Sequence, residues 1–181
     1  MTRILTVPGW GSSGPEHWQS IWEREHGFQR VEQQDWETPQ LRDWVAQLDE
    51  AIGQSEESTV LVAHSLGCQA VAHWGCCVIN HPVKAVLMVA PPYLDGPDVP
   101  AELQNFVPMH LEPLPFQVLV VASSNDPYAS LEQAEQLVQA WGGQLVNVGE
   151  KGHINSASGL GDWPEGYRLL QALLEPYCVD P

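Results

Sequence analysis

The stretch TVLVAHSLGCQA, at residues 59–70, restricts the fold more than any other part of the sequence. Its first half is a continuous apolar run, which is typical of a strand buried on both faces of a parallel sheet. The run stops at His64 and Ser65, and small residues that suit a helix follow at once. A strand that turns tightly into a helix places its turn residue, here Ser65, outside the carboxyl end of the sheet. Open α/β folds bind their ligands in that position.

Short apolar runs alternate with amphipathic stretches along the rest of the chain. Strands are predicted at residues 3–7, 30–36, 59–63, 85–90, 116–122 and 144–148. Helices are predicted at residues 15–25, 38–53, 66–79, 130–142 and 162–173. Because parallel strands need crossover connections, this alternation predicts an α/β fold with a mainly parallel, six-stranded sheet flanked by helices. The length of 181 residues fits a single domain over residues 1–181, with the polar strand 30–36 at a sheet edge.

Residues 63–67, Ala-His-Ser-Leu-Gly, match the G-x-S-x-G nucleophile elbow with alanine in the first position. Strand and helix approach closely at such a turn, so small residues are needed two before and two after the serine. Ala63 and Gly67 meet that need. The motif predicts that Ser65 is a nucleophile, although a turn of this kind also occurs without catalysis.

Two later strand ends supply partners that a serine nucleophile requires. A hydroxyl is a poor nucleophile without a base, and the base needs an orienting acid. Asp126 follows the predicted strand 116–122, and His153 follows the predicted strand 144–148. Taken alone, Asp126 could be a turn residue before Pro127 and His153 a hydrogen-bonded loop residue. Their chain order of serine, acid and histidine is the order of this fold, and it predicts a Ser65-Asp126-His153 triad.

The developing oxyanion needs two backbone N–H groups aimed at it. The N–H of Leu66 is predicted to be one of them, because it follows the nucleophile at the start of a helix. The other is predicted to be the N–H of Trp10, in the loop 8–12 after the first strand. Alternatively, the glycines of that loop only turn the chain. Tyr93 and Trp163 lie in or near loops at the same edge of the sheet and are candidates for pocket walls.

The four cysteines, at positions 68, 76, 77 and 178, form no CxxC pair. Cys68 lies about one helical turn beyond Ser65 and is expected in the core. The adjacent Cys76 and Cys77 are expected to be core residues of the same helix. The sequence therefore favours reduced, buried thiols over disulfides or a zinc site.

Four further histidines and three of the tryptophans are interpreted as structural residues. His64 neighbours Ser65 but should point away from the site if the turn is sharp. Residues His17, His73 and His110 share no metal-ligand spacing, so no metal site is predicted. The core of the protein is expected to contain Trp18, Trp22 and Trp44.

Charge and composition exclude several classes of function. The formal net charge of −16 would repel phosphate backbones, so no nucleic-acid partner is expected. No apolar run reaches about 18 residues, so no membrane span is expected. The N-terminus lacks the pattern of a signal peptide, which predicts a cytoplasmic location. A flavodoxin-like nucleotide binder is disfavoured, because no G-x-G-x-x-G loop follows the first strand, and no cofactor is predicted.

Five motifs give the sequence a resemblance to a known family. They are PGWG at 8–11, PEHW at 15–18, AHSLG at 63–67, SNDP at 124–127 and GHINSASGLGDWPEG at 152–166. Together they resemble the small α/β-hydrolases related to retinoblastoma-binding protein nine, a YdeN-like group of serine hydrolases. The likeness spans nearly the whole chain, and the block at 152–166 is its most specific part.

This resemblance implies a compact α/β-hydrolase with the strand order 2-1-3-4-5-6, no lid domain and a triad of Ser65, Asp126 and His153. The proline-rich segment 91–115 stands where larger relatives insert a lid, so we expect an open, shallow site that suits short acyl groups. The animal member binds a retinoblastoma-type protein through an L-x-C-x-E-like segment. This sequence contains no such segment, so that partner is not carried over and protein partners stay open.

Two functions of different classes follow from these observations. The first is a serine hydrolase that cleaves small esters, or by the same chemistry thioesters or amides, through an acyl-enzyme. Its partner would be a small-molecule acyl substrate. The second is an interaction or binding protein that keeps the hydrolase scaffold with little turnover, since fold alone does not fix function.

Overall fold

The computed structural model describes residues 2–175, in which six parallel strands form one sheet in the order β2-β1-β3-β4-β5-β6. The strands are β1 (Arg3–Val7), β2 (Gln29–Arg30), β3 (Thr59–His64), β4 (Val83–Val89), β5 (Gln117–Ala122) and β6 (Gln144–Asn147). The helices are α1 (Trp18–His26), α2 (Leu41–Gly53), α3 (Leu66–Gly75), α4 (Leu131–Trp141) and α5 (Pro164–Leu174). The predicted single-domain α/β fold and its strand order are confirmed.

Helices cover both faces of the sheet, and the strands alternate their side chains between them. On β3, Leu61 and Ala63 join a core cluster with residues of α2, α3 and α4. Val60 and Val62 join a second cluster with residues of α1 and α5. All six residues of β3 are buried, which explains why its sequence is a continuous apolar run.

The strand register brings the chemistry-bearing loops to one edge. Val7 of β1 pairs with Ala63 of β3, and His64 pairs with Val89 of β4. Ala122 of β5 pairs with Asn147 of β6. The carboxyl ends of these strands are therefore level, and the loops that follow them meet above the same edge.

The segment 91–115 forms no separate lid domain within the described chain. It contains a short 3₁₀ helix, Ala101–Phe106. Leu94, Leu103 and Phe106 are buried against Trp44 of α2 and Leu66 of α3 in a third core cluster. The segment is thus packed onto the domain beside the start of α3.

Helix α3 ends at Gly75, earlier than the predicted end at residue 79. The chain must turn back to enter β4, and Pro82 just before that strand cannot continue a helix. Cys76 and Cys77 therefore lie past the helix and are exposed, so the prediction that they are core residues is wrong. Cys68 is buried as predicted, and Cys178 lies outside the described residues.

Two other boundaries differ because side chains form local turns. The edge strand predicted at 30–36 is reduced to Gln29–Arg30. Asp35 Oδ1 accepts hydrogen bonds from the N–H groups of Glu37 and Thr38, which turns the chain away from the sheet. Helix α1 begins at Trp18 instead of residue 15, because His17 Nδ1 caps it by accepting from the N–H of Gln19.

Helix α4 begins with a capping box formed by Ser130 and Gln133. The prediction that three tryptophans lie in the core is confirmed. Trp18, Trp22 and Trp44 are each no more than 1% exposed. Every helix among residues 2–175 is too short or too polar to cross a lipid bilayer.

Candidate active site

Ser65 occupies a sharp turn between β3 and α3. Its φ of 54° and ψ of −126° lie outside the regions that L-residues commonly adopt. The turn is held by the N–H of Ser65, which donates to Val89 O, and by Ser65 O, which accepts from the N–H of Cys68. Backbone strain of this kind is concentrated at functional sites, where the surrounding structure holds the residue in place.

Two glycines allow the loop after β1 to lie directly against this turn. A Cβ on Gly67 would collide with the carbonyl oxygens of Val7 and Pro8. A Cβ on Gly9 would lie 2.9 Å from Ser65 Cβ and 3.1 Å from the backbone nitrogen of Leu66. The small residue after the serine is therefore required by close backbone packing, as the motif predicts.

The loops after β5 and β6 bring Asp126 and His153 to Ser65. His153 Nε2 lies 2.7 Å from Ser65 Oγ. On the other edge of the ring, His153 Nδ1 lies 3.0 Å from Oδ1 and 3.1 Å from Oδ2 of Asp126. The side chains of His153 and Asp126 are 9% and 4% exposed, so this contact is shielded from water.

The hydrogen-bond pattern assigns the protons of His153. A carboxylate only accepts, so Nδ1 carries the proton and donates it to Asp126. In the neutral ring Nε2 is then an acceptor that faces the hydroxyl of Ser65. This arrangement is chemically able to take a proton from that hydroxyl.

Asn125 is a site residue that sequence reasoning missed. Its Oδ1 accepts from the N–H of Gly152 at 2.7 Å and from Ser123 Oγ at 2.9 Å. Ser123 Oγ in turn accepts from the N–H of Lys151 at 2.8 Å. These bonds join the loop of Asp126 to the loop of His153. The SNDP motif contains Asn125, but nothing in its local pattern indicated a partner in another loop.

His64 is buried and holds the backbone of His153 by a hydrogen bond. Its Nε2 donates to the carbonyl oxygen of His153 at 2.9 Å. Burial lowers the pKa of His64 well below its ordinary value of 6.5, and the neighbouring His17 and His153 add to that effect. The expectation that His64 points away from the site is wrong, because its ring lies 5.1 Å from the ring of His153 between centroids and contacts the backbone of that residue.

His17 lies beside His64, with their ring centroids 4.7 Å apart in an edge-to-face arrangement. Burial, and to a smaller extent the charge of Arg30, lower the pKa of His17 from 6.5 to about 4. The sequence predicted only a structural role for His17. Its capping of α1 was not predicted, because histidine is an uncommon helix cap, and its contact with His64 was not predicted, because the two residues come from distant segments.

Trp10 and Leu66 lie where the sequence predicted them, beside Ser65. Both line a cavity of about 410 Å³ that also contains Ser65 and His153. Trp10 Nε1 donates to Glu37 O at 2.8 Å, which fixes the indole. Among residues 2–175 no acceptor pairs with the backbone N–H of either residue.

Of the two residues predicted to line the pocket, Tyr93 does so and Trp163 does not. Tyr93 lines the 410 Å³ cavity, and its hydroxyl donates to Gln136 Oε1. Trp163 is only 2% exposed and does not line that cavity, so its prediction as a pocket wall is wrong. The ring fills the space next to Gly166 and packs against Trp18 and Trp22. It was misplaced because its loop lies near the active edge while its side chain faces the core.

No group of three or more possible metal ligands occurs within residues 2–175. His73 and His110 approach each other, with ring centroids 6.4 Å apart, but no third ligand joins them.

A family model described as Serine hydrolase matches residues 4–172 of the chain. Among solved structures, a YdeN-like hydrolase from Pectobacterium atrosepticum is similar over 96% of this chain and 90% of its own, with 32% identity and a TM-score of 0.84. The ydeN gene product of B. subtilis is similar over 96% and 99% of the two chains, with 21% identity and a TM-score of 0.76.

A more distant structure shows how widely this fold occurs. An esterase from Exiguobacterium antarcticum covers 97% of this chain and 92% of its own, with 13% identity and a TM-score of 0.69. No protein of curated function matches the sequence. None of the structures described is the animal retinoblastoma-binding protein nine, so that part of the resemblance stays a prediction.

Proposed function

The chain belongs to the serine hydrolase family, and from that premise we propose that it cleaves small carboxylic esters through an acyl-enzyme formed on Ser65. The observation that carries the proposal is the continuous contact from Asp126 through His153 to Ser65, at 3.0 Å and 2.7 Å. Hydrolase activity follows from the family. The ester substrate and the roles of these residues are our proposal.

In the first half of the reaction, Ser65 Oγ attacks the carbonyl carbon of the ester while His153 Nε2 takes the hydroxyl proton. Asp126 keeps the imidazole in the required tautomer and stabilises the imidazolium. The tetrahedral oxyanion accepts hydrogen bonds from the N–H groups of Leu66 and Trp10. Collapse breaks the carbon–oxygen bond to the alcohol, which leaves with the proton held by His153.

In the second half, water takes the place of the alcohol. His153 Nε2 removes a proton from the water as its oxygen attacks the acyl carbon. The second intermediate collapses to release the carboxylic acid, and the proton returns to Ser65 Oγ. We name esters as the substrate because an alcohol leaves such an intermediate more readily than an amine does.

The 410 Å³ cavity supplies a site for the acyl group. Leu94, Val99 and Leu103 line it and face the region next to Ser65. These side chains come from the segment 91–115, which also borders the cavity with two carboxylates, Asp95 and Asp98. An apolar acyl chain gains free energy by leaving water for this lining, so we propose short acyl chains as the substrates.

The proposal is tested with a fluorophosphonate probe and a panel of esters, thioesters and anilides. We expect the probe to label the wild type and a Ser124→Ala control, since Ser124 is exposed and its hydroxyl has no place in the site. Ser65→Ala should neither be labelled nor hydrolyse the panel. Equal labelling of Ser65→Ala would refute the proposal. Labelling of Ser65 without turnover of any ester would favour the binding-protein alternative.

A further inference from the structure

A second cavity, of about 330 Å³, also opens onto Ser65 and His153. It shares Trp10 and Asn155 with the first cavity but has none of its leucine, valine or proline lining. The rest of its wall is polar or small and comes from three segments of the chain, residues 9–17, 64 and 156–157. Those residues are Gly9, Ser12, Gly14, His17, His64, Ser156 and Ala157. We call this space the polar cavity.

His64 offers the polar cavity a hydrogen-bond acceptor. Its Nε2 donates to a carbonyl oxygen, which can only accept, so Nε2 carries the proton. In the neutral ring the lone pair is then on Nδ1. Within the described chain Nδ1 has no hydrogen-bond partner, although the residue is only 5% exposed.

His17 offers a donor in the same place. Its Nδ1 accepts from the N–H of Gln19, so in the neutral ring the proton is on Nε2. His17 is 4% exposed, and Nε2 is buried with no hydrogen-bond partner among residues 2–175. The two rings lie 4.7 Å apart between centroids in an edge-to-face arrangement, and both residues line the polar cavity.

The capping role of His17 does not account for this free donor. Asparagine or serine at position 17 would cap α1 at least as well. Neither would leave a buried ring N–H unpaired, and an unpaired buried donor destabilises the folded protein. A ligand group that accepts a hydrogen bond from Nε2 would satisfy this donor and explain why position 17 is a histidine.

We propose that the polar cavity is the leaving-group subsite, and that it takes an uncharged alcohol carrying a second hydroxyl, as in a monoester of a polyol. One hydroxyl can accept from His17 Nε2 and donate to His64 Nδ1 at the same time. The ester oxygen then lies near His153, which must protonate it. This inference rests on the proposed function of Ser65, and it assigns the two cavities by chemistry: the apolar one takes the acyl chain and the polar one takes the alcohol.

The electrostatic state of the two histidines supports an uncharged ligand. Burial lowers the pKa of both, to about 4 for His17 and well below 6.5 for His64. Near neutral pH both rings are therefore uncharged. They offer hydrogen bonds but no ion pair to an anionic or a cationic leaving group.

The first test uses two butyrate esters that share an acyl group and a carbon number, glyceryl monobutyrate and propyl butyrate. The ratio of their kcat/KM values should favour the glyceryl ester in the wild type. In His17→Asn the amide oxygen can still cap α1, but the Nε2 donor is gone. We expect that ratio to fall about tenfold, the effect of losing one good neutral hydrogen bond. His26→Asn, an exposed histidine on the same helix, should leave the ratio unchanged.

The second test needs no variant and so does not depend on the folding of one. The wild type is acylated with p-nitrophenyl butyrate in the presence of glycerol or 1-propanol, and the transfer of butyrate to the alcohol is compared with its transfer to water. Glycerol should capture the acyl group about tenfold more efficiently than 1-propanol. Equal capture of the two alcohols would overturn the proposal. So would an equal loss of both ester activities in His17→Asn, or no change in their ratio.

Failure of the proposed function gives a different result. If Ser65 does not form an acyl-enzyme, p-nitrophenyl butyrate gives no Ser65-dependent release of p-nitrophenol, and neither alcohol captures butyrate. If only the subsite is wrong, that release persists in the wild type while the preference for the polyol is missing.

Discussion

The imidazole of His153 reaches the hydroxyl of Ser65 at 2.7 Å although 88 residues separate them in the chain. This contact is fixed from several sides. Asp126 holds Nδ1 of the ring, and His64 donates to the backbone oxygen of the same residue. Asn125 joins the two loops that carry the acid and the histidine. The relationship between Ser65 and His153 is therefore set before any substrate arrives.

Replacement of Asp126 by asparagine should abolish the ability of His153 to accept a proton from Ser65 while leaving the positions of the side chains unchanged. Asp126→Asn can present its amide N–H to His153, which would force the ring proton onto Nε2 and remove the acceptor that Ser65 needs. We expect kcat for p-nitrophenyl butyrate to fall by about 10⁴, as loss of the correct tautomer does in serine proteases. Steady-state kinetics measure this. Asp43→Asn removes the same charge from an exposed position on α2 and should change kcat little. A loss below about tenfold in Asp126→Asn would show that the carboxylate does not orient the ring.

The loop after β1 should tolerate no added methyl group at Gly9. A Cβ there would lie 2.9 Å from Ser65 Cβ, so the nucleophile turn or the loop would have to shift. A misplacement on the ångström scale can cost about 10² in rate, and we expect that loss in kcat/KM for Gly9→Ala. Gly53→Ala, at the exposed end of α2, is the matched control, because its Cβ would meet nothing within 4 Å and it lines neither cavity. If the two variants had equal activity, the close approach would have no importance for the site.

The parts of the site that could be predicted from the sequence are those that depend on backbone topology. A strand of a parallel sheet that is buried on both faces must be apolar throughout, so β3 could be predicted. A tight turn from strand to helix needs small residues around it, so the position of Ser65 in such a turn could be predicted as well. Asp126 and His153 were readable because the carboxyl ends of parallel strands meet at one edge.

The direction in which a loop side chain points could not be predicted from the sequence. Trp163 shares a loop region with His153, yet its ring packs on Trp18 in the core. Cys76 was assigned to a helix face that ends one residue earlier. The ring contact between His17 and His64 joins segments that are distant in the chain, and no local sequence pattern predicts such a contact.

The apolar cavity should set the length of the acyl chain. Val99 lines it and is half-buried, so Val99→Trp would fill part of the space. Loss of room for two methylene groups corresponds to about 1.6 kcal/mol of apolar burial. We therefore expect the ratio of kcat/KM for p-nitrophenyl hexanoate to that for the acetate to fall about tenfold. Val107→Trp adds the same ring at an exposed position that does not line the cavity, and should keep the ratio. An unchanged ratio in Val99→Trp would mean that long acyl chains bind elsewhere.

The buried His17 should make the protein less stable in mild acid. Its pKa is about 4 in the folded protein, against an ordinary value of 6.5, owing to burial and to the charge of Arg30, with His153 adding a smaller effect. As the pH falls from 6.5 towards 4, the unfolded chain binds a proton that the folded ring does not. The free energy of unfolding is therefore highest above pH 6.5, decreases through this window and levels off below about pH 4.

At pH 5.0 this single group should lower the free energy of unfolding by about 2 kcal/mol relative to pH 7.5. Urea unfolding at the two pH values measures the difference. In His17→Asn the decrease should be smaller by about that amount. Some decrease should remain, because the buried His64, which contacts both His17 and His153, also has a lowered pKa. His26→Asn, which replaces an exposed histidine of the same helix, should keep the full decrease. If His17→Asn kept it as well, the ring of His17 would have to be solvated or charged in the folded protein, and the neutral donor assigned to the polar cavity would be lost with it.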